Sequence, residues 1–362
     1  MNKKKTRIMK HTVKYLIVMV MAAVMILPAQ TSVAGNEDRS GQAGADELLI
    51  NPWARSTGWA TANTGGVNGL EAQFLNVAGM AFTENTEIGF SHSNYLVGTG
   101  ININAVGLSQ RISETGGVLG IGIMSMSFGD IERTTVNLPE GGSGEFTPSY
   151  LNVNISYSKA FSNSIYGGIN FKIISEQISN IGAQGIAIDA GVQYVTGRDD
   201  QIQFGVALKN VGPEMKFTGD GMSLRTLITD ADHTMTVEQR SDAFELPALI
   251  RIGATYDIDL GEQHELSVAG NFQSNSFRKD IISLGMEYSF SEYLDVRGGY
   301  NYEPGIIEGG SDRTTVYTGP TGGASVKVPM DKEKGSYFSI DYSYRATNPF
   351  DGVHSVGASL VL

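Results

Sequence analysis

The sequence predicts an all-β fold: a 14-stranded antiparallel transmembrane β-barrel with an N-terminal plug segment in its lumen. Three observations predict it. Many segments alternate apolar and polar residues with a period of two, which gives a strand two unlike faces. Most of them run 9–12 residues, the length a tilted strand needs to cross hydrocarbon, whereas strands of soluble proteins average about 5–6. Beyond residue 34 there is no apolar run long enough for a membrane-spanning helix, and a closed barrel is the other way to pair every backbone group inside a bilayer.

The elements follow in order. Lys3, Lys4, Lys5, Arg7, Lys10 and Lys14 precede an apolar run, Tyr15 to Leu27, and then Ser32-Val33-Ala34. That arrangement predicts a signal peptide over residues 1–34, because the run is too short to span a bilayer. Residues 35–85 lack long alternation and are rich in Ala, Gly and Asn. They hold a candidate short helix over 43–50 and the only tryptophans, Trp53 and Trp59. A lumen of this size must hold water or a plug, and aliphatic and Trp content argues against disorder. This segment is therefore expected inside the barrel. Residues 86–362 form the barrel, with strands expected at 86–96, 101–112, 117–128, 150–161, 165–178, 185–195, 202–210, 247–258, 265–273, 279–290, 294–302, 321–328, 337–345 and 354–362.

The connections sort by length. With both termini taken as periplasmic, the even-numbered strands end in short turns, such as Ser113–Gly116 and Ser291–Tyr293. The three long loops, Gly129–Ser149, Val211–Leu246 and Glu303–Pro320, all follow odd-numbered strands. Outer-membrane barrels have this asymmetry. Tyr and Phe near strand ends, among them Tyr95, Phe128, Tyr288 and Phe290, suit interfacial girdles.

Charge and composition exclude several functions. The leader takes six of the 26 basic residues and none of the 38 acids, which leaves a net charge of −18. Nucleic acid is not a partner for such a chain. The chain has no Cys, so thiol catalysis, Cys-zinc sites and a lipoprotein anchor are excluded. The five histidines are scattered, and no metal or cofactor site is expected. Asp230-Ala231-Asp232-His233 is too sparse for calcium. His92 and Ser93 project to opposite faces of one strand, so they cannot form a catalytic dyad. No nucleophile, base and orienting group come together, and no enzyme is expected.

Gly44-Ala45-Asp46-Glu47-Leu48-Leu49-Ile50-Asn51-Pro52-Trp53-Ala54-Arg55-Ser56-Thr57-Gly58 resembles the N-terminal signature of the PorV/PorQ family. Leu70-Glu71-Ala72-Gln73-Phe74-Leu75-Asn76-Val77-Ala78-Gly79-Met80 resembles the motif that follows it, with Val77 where the family has Pro. Valine removes the fixed φ a proline would impose. The resemblance covers about 40 residues and marks Leu48, Leu49, Ala54, Arg55, Asn76, Ala78 and Gly79 as the plug motif. It implies a FadL-like barrel in the outer membrane of a Gram-negative bacterium of the Bacteroidota. It also implies a part in the type IX secretion system, in contact with outer-membrane lipid. The partners would be a SprA-like translocon barrel and secreted proteins, bound through their type IX C-terminal domains. Phe146, Met215, Phe217, Met222 and Leu224, in the long loops, are the candidate partner contacts. The alternative implied by the fold likeness is a transporter of hydrophobic small molecules, and a third reading is a general porin.

Overall fold

The computed structural model describes residues 37–113, 116–227, 233–261, 263–308, 313–331 and 335–362. The expected signal peptide and Asp230–Asp232 lie outside the described residues. Fourteen strands form one closed antiparallel barrel. They are β1 (Thr86–Tyr95), β2 (Ile101–Ser113), β3 (Gly117–Ser127), β4 (Ser149–Ala160), β5 (Ile165–Ile178), β6 (Ile181–Thr196) and β7 (Ile202–Val211), followed by β8 (Leu249–Gly261), β9 (His264–Asn275), β10 (Ile281–Phe290), β11 (Leu294–Tyr302), β12 (Tyr317–Asp331), β13 (Ser336–Thr347) and β14 (Val353–Val361). Each strand pairs with its sequence neighbour, and β1 closes on β14 from Glu87↔Val361 to Asn94↔His354. The odd-numbered strands therefore all end at one rim, here the loop end, and the even-numbered strands at the other, the turn end.

Alternation decides what each face meets. Ile88, Phe90, Leu108, Ile121, Ile155, Phe171, Val192, Val206, Ile252, Leu284, Val296, Val326, Ile340 and Val356 point outward and are 38–53% exposed. An apolar belt that encircles the molecule in this way is a surface built for lipid. The inward sets are polar: Ser91 and Ser93 on β1, Asn152 and Ser156 on β4, Asn170 and Lys172 on β5, Asp189 and Gln193 on β6 are all buried. The parity expected at His92 holds. Its ring pairs with Asn104 at 2.8 Å, while the buried Ser93 hydroxyl donates inward to Ser355 at 2.6 Å.

Two strands exceed their expected length by the most, β6 and β12. β6 begins at Ile181 instead of residue 185, because Gly182 and Gly185 hide the period-two pattern. They are paired nonetheless, with Gln177 and Ile174 of β5. The loop strand Met215–Thr218 adds to the other edge of β6. β12 runs past Pro320 and Pro329. Proline cannot donate to a ladder and argues against a strand interior. Here the register shifts between Tyr317 and Thr321 and between Pro329 and Asp331, and such irregularities let a strand carry prolines.

The N-terminal segment departs from expectation in two ways. Over 43–50 only one 3₁₀ turn forms, Asp46–Leu49, because Ala45 is left-handed at φ 53° and Ile50 is extended. The segment also begins at the loop end, not the turn end. Arg39 pairs with Glu245 at 2.5 Å and lies over the Phe277 ring, and Ala43 bridges to Glu245. Glu245 and Phe277 both belong to loop-end connections. The chain then descends the lumen, and Arg111 at the turn end donates to the Ala81 and Thr83 carbonyls at 2.9 and 2.8 Å.

Candidate functional site

The lumen is the site, and residues 45–83 occupy it. Short helical turns suit this passage because they pair a few backbone groups locally and turn the chain within a few residues, leaving the rest to the lumen wall. α1 (Ala54–Gly58) opens after Pro52, and the Thr57 hydroxyl donates to the Trp53 carbonyl at 2.7 Å. α2 (Ala72–Leu75) passes into a 3₁₀ turn, Val77–Phe82. Asn76 sits between them and is 1% exposed. Its Oδ1 accepts from the Ala78 N–H at 3.3 Å, while its Nδ2 donates to the Thr64 and Val192 carbonyls, each at 3.1 Å. One side chain thus caps a turn, ties two parts of the segment together and fastens both to β6.

The wall is shaped to receive the segment. A Cβ on Gly205 of β7 would stand 2.3 Å from the Thr64 carbonyl oxygen, and one on Gly285 of β10 would stand 2.6 Å from that of Trp59. These strand positions bring backbone against backbone, which no other residue permits.

The motif residues are spread along the lumen and do not form one site. Leu48 is buried at the loop end among Ile103, Met124, Met126, Tyr150, Ile174 and Met215. Leu49 lines a loop-end chamber. Ala54 meets Gly357 of β14, Ala78 accepts from Ser158 at 2.9 Å, and a Cβ on Gly79 would lie 2.0 Å from the Val67 carbonyl oxygen. Arg55 lines a second chamber at the turn end. The loop candidates do not form one patch. Met215 is 1% exposed within the loop-end cluster, and Phe217 packs on Phe244 with ring centroids 5.5 Å apart. Phe146 lies on a separate two-residue strand pair with Ile131. Leu224 is 44% exposed on the hairpin Ser223–Leu227 and Thr234–Glu238, and Met222 closes the turn before it. Met215 is thus not a surface contact.

Charge is sorted along the lumen in a way that single strands could not reveal. The inward positions of β5 to β8 carry Lys172, Lys209 and Arg251 around one acid. Lys172 pairs with Asp189 at 2.7 Å and donates to Asn210 at 2.7 Å. Lys209 sits 3.7 Å over the Phe74 ring and donates to the Phe74 carbonyl. Arg251 donates to Gln273 at 2.8 Å. Toward the turn end acids prevail. Arg297, fully buried, bonds Glu287, meets Asp295 at 3.2 Å and lies 3.9 Å from Asp341. Lys327 holds Asp295 at 2.6 Å. The two chambers lie in these two zones. The loop-end one, about 240 Å³, is lined by Asp46, Tyr95, Arg251, Arg278, Tyr317 and Arg345 among others. The turn-end one is about 220 Å³.

Glu71 lies in the segment beside α2. It accepts from the Ser56 N–H at 2.9 Å and from the Ser56 hydroxyl. Burial pushes its carboxyl up to about 7, against the opposing pull of Arg55, with Asp341 adding to the rise. The docked form therefore binds a proton more tightly than the free chain. Its contribution to docking is fully present below the ordinary value of 4.5 and is lost as pH rises through about 7. Protease resistance of residues 51–83 should thus fall between pH 5 and pH 8, and Glu71→Gln should flatten that profile. A wild-type profile already flat across this range would contradict the assignment.

A third cavity opens beside the loop-end rim. It measures about 300 Å³ and is lined by Phe128, Ile131, Pro148, Tyr150, Ile178 and Phe217, together with Glu47 and Glu176. Tyr150 belongs both to this groove and to the buried cluster that holds Leu48, so apolar surface continues from the rim inward.

Solved structures of the same architecture exist. The Pseudomonas putida toluene transporter TodX superposes with a TM-score of 0.55 at 12% identity, over 86% of this chain and 97% of that one. The Ralstonia pickettii toluene transporter TbuX reaches 0.50 at 14% identity, with the same coverage of both chains. A monoaromatic hydrocarbon channel, CymD, reaches 0.50 at 12% identity over 86% and 97%. The fold is the FadL-like barrel. No family model and no curated protein sequence matches the chain.

Proposed function

We propose that this chain is a FadL-like transport barrel of a Gram-negative outer membrane, taking up a small hydrophobic molecule at its loop end. The observation that carries the reading is the apolar groove at the rim and its continuation through Tyr150 into the cluster of Met124, Met126, Ile174 and Met215. Its volume falls at the lower edge of the range in which proteins enclose small ligands. Methionines give such a surface adaptable, polarisable contacts. The fold shared with toluene transporters supports the same class of cargo. Below the cluster the lumen is polar and occupied by the N-terminal segment, so passage requires the segment to shift.

The experiment is binding of N-phenyl-1-naphthylamine, a fluorescent apolar probe, to the detergent-purified protein. Phe217→Glu should weaken it by about tenfold or more, since burying a phenyl group is worth roughly 1.5–3 kcal/mol. Equal affinity in both proteins would remove the groove from the pathway.

A second reading is favoured by one observation, the likeness of residues 44–58 and 70–80 to the PorV/PorQ signature. In that reading the barrel joins a SprA-like translocon and binds secreted C-terminal domains through its loops, in a member of the Bacteroidota. Affinity purification from native membranes separates the two: recovery of a large translocon barrel with cargo favours secretion, whereas co-purified apolar molecules with neither protein favour uptake.

A further inference from the structure

The lining of the turn-end chamber carries four acids, Glu71, Asp257, Glu265 and Glu287, against two cations, Arg55 and Lys327. Of the acids around it, Glu287 is held by Arg297, Asp295 by Lys327, and Glu71 lies in the field of Arg55. Asp257 and Glu265 also line the chamber. Among the described residues Asp257 accepts from two neutral donors, Gln203 Nε2 at 3.0 Å and the Ser267 hydroxyl at 2.5 Å. Neither acid has an ion-pair partner among the described residues.

Two further oxygens in the lining lack a partner among the described residues. Thr255 is 4% exposed and Asn63 9% exposed, both line the chamber, and Thr255 Oγ1 and Asn63 Oδ1 have no hydrogen-bond partner among the described residues. Buried polar atoms are almost always paired, so each orphan asks for an explanation. Together these groups offer negative charge and mainly acceptors, the Thr255 hydroxyl being able to donate as well as accept. The complementary ligand carries donors and positive charge. An ammonium group has three donors and no acceptor, and the Trp59 indole in the same wall is the preferred aromatic partner for a cation. A neutral sugar would leave the two carboxylates uncompensated. A metal ion fits less well, since no three carboxylates or imidazoles converge among the described residues.

We propose that the turn-end chamber binds a small organic ammonium ion, with two spare carboxylates suited to a short diamine. Lys172, Lys209 and Arg251 in the loop half repel such an ion, so it enters and leaves at the turn end. The site is separate from the loop-end groove and stands independently of hydrophobic uptake.

The test uses the full-length protein in detergent, titrated with 1,4-diaminobutane at constant ionic strength and followed by calorimetry. Trp59 fluorescence in a Trp53→Phe background gives a second, local readout. A saturable response to the diamine is expected, with none to glucose and none to calcium. Asp257→Asn should weaken binding by about tenfold or more, the scale of losing a charge-assisted contact. Glu265→Gln changes an exposed side chain without a hydrogen-bond partner among the described residues, so it is expected to fold, and it should also weaken binding. If Asp257→Asn fails to fold, Glu265→Gln decides alone. Absence of a saturable diamine response, an equal response to glucose or calcium, or unchanged affinity in Glu265→Gln overturns the proposal.

Discussion

Replacing Arg297 with methionine should destabilise the folded barrel by about 3–5 kcal/mol, the cost of removing one partner from a buried charge cluster. Arg297 is 4% exposed overall, with a fully buried side chain. It bonds Glu287, Asp295 and the Ser325 hydroxyl, with Asp341 just beyond. Methionine keeps much of the volume but removes the ion pairs of Glu287 and Asp341 seen among the described residues, leaving them only the field of Arg55, while Asp295 keeps Lys327. The damage should reach the N-terminal segment, because Trp59 Nε1 donates to the same Glu287 carboxylate at 3.1 Å and the Arg297 stem packs against Gly58. Urea unfolding in lipid vesicles, followed by gel migration and by Trp fluorescence, measures it. Adding Glu287→Gln and Asp341→Asn should recover most of the loss, since a buried charge without a partner is what costs most. An Arg297→Met midpoint equal to wild type would show that the network is solvated and contributes little.

Removing residues 51–83 should convert a barrel of low ion conductance into one with stepwise single-channel openings in planar bilayers. The segment fills the lumen through buried side chains from Trp53 to Thr83, and a barrel of fourteen strands is wide enough to conduct once emptied. A single wall residue should produce part of the effect. A side chain on Gly205 meets the Thr64 carbonyl oxygen and the Asn76 amide, both parts of one cross-link between segment and wall. Gly205→Val leaves the outward face of β7 unchanged, so the barrel should still assemble while the segment is displaced. Equal, low conductance in wild type, deletion and Gly205→Val would mean that the loops close the lumen instead.

The barrel was legible because its signal is local. Inward and outward positions alternate along each strand, and the period is written in consecutive residues. Where a local rule was violated the reading fell short, at Gly182 and Gly185 of β6 and at the prolines of β12, since pairing with a neighbouring strand overrode propensity there. Leu48, Ala54, Asn76 and Gly79 were legible only as parts of a resembling motif, which by itself carries no role for them. The chemistry that makes Asn76 a threefold fastener was not legible, because two of its partners are backbone carbonyls at positions 64 and 192.

What the amino-acid sequence determined by itself was the fold class, the strand count and the side on which the long loops lie, all consequences of periodicity and spacing along the chain. Tertiary structure alone decided the entry of the N-terminal segment from the loop end, the gathering of Lys172, Lys209 and Arg251 in one half of the lumen, and the clustering of acids in the other. The physical reason is that charge interacts through space. Which inward residues become neighbours depends on register between strands, and on a segment whose path no local period encodes.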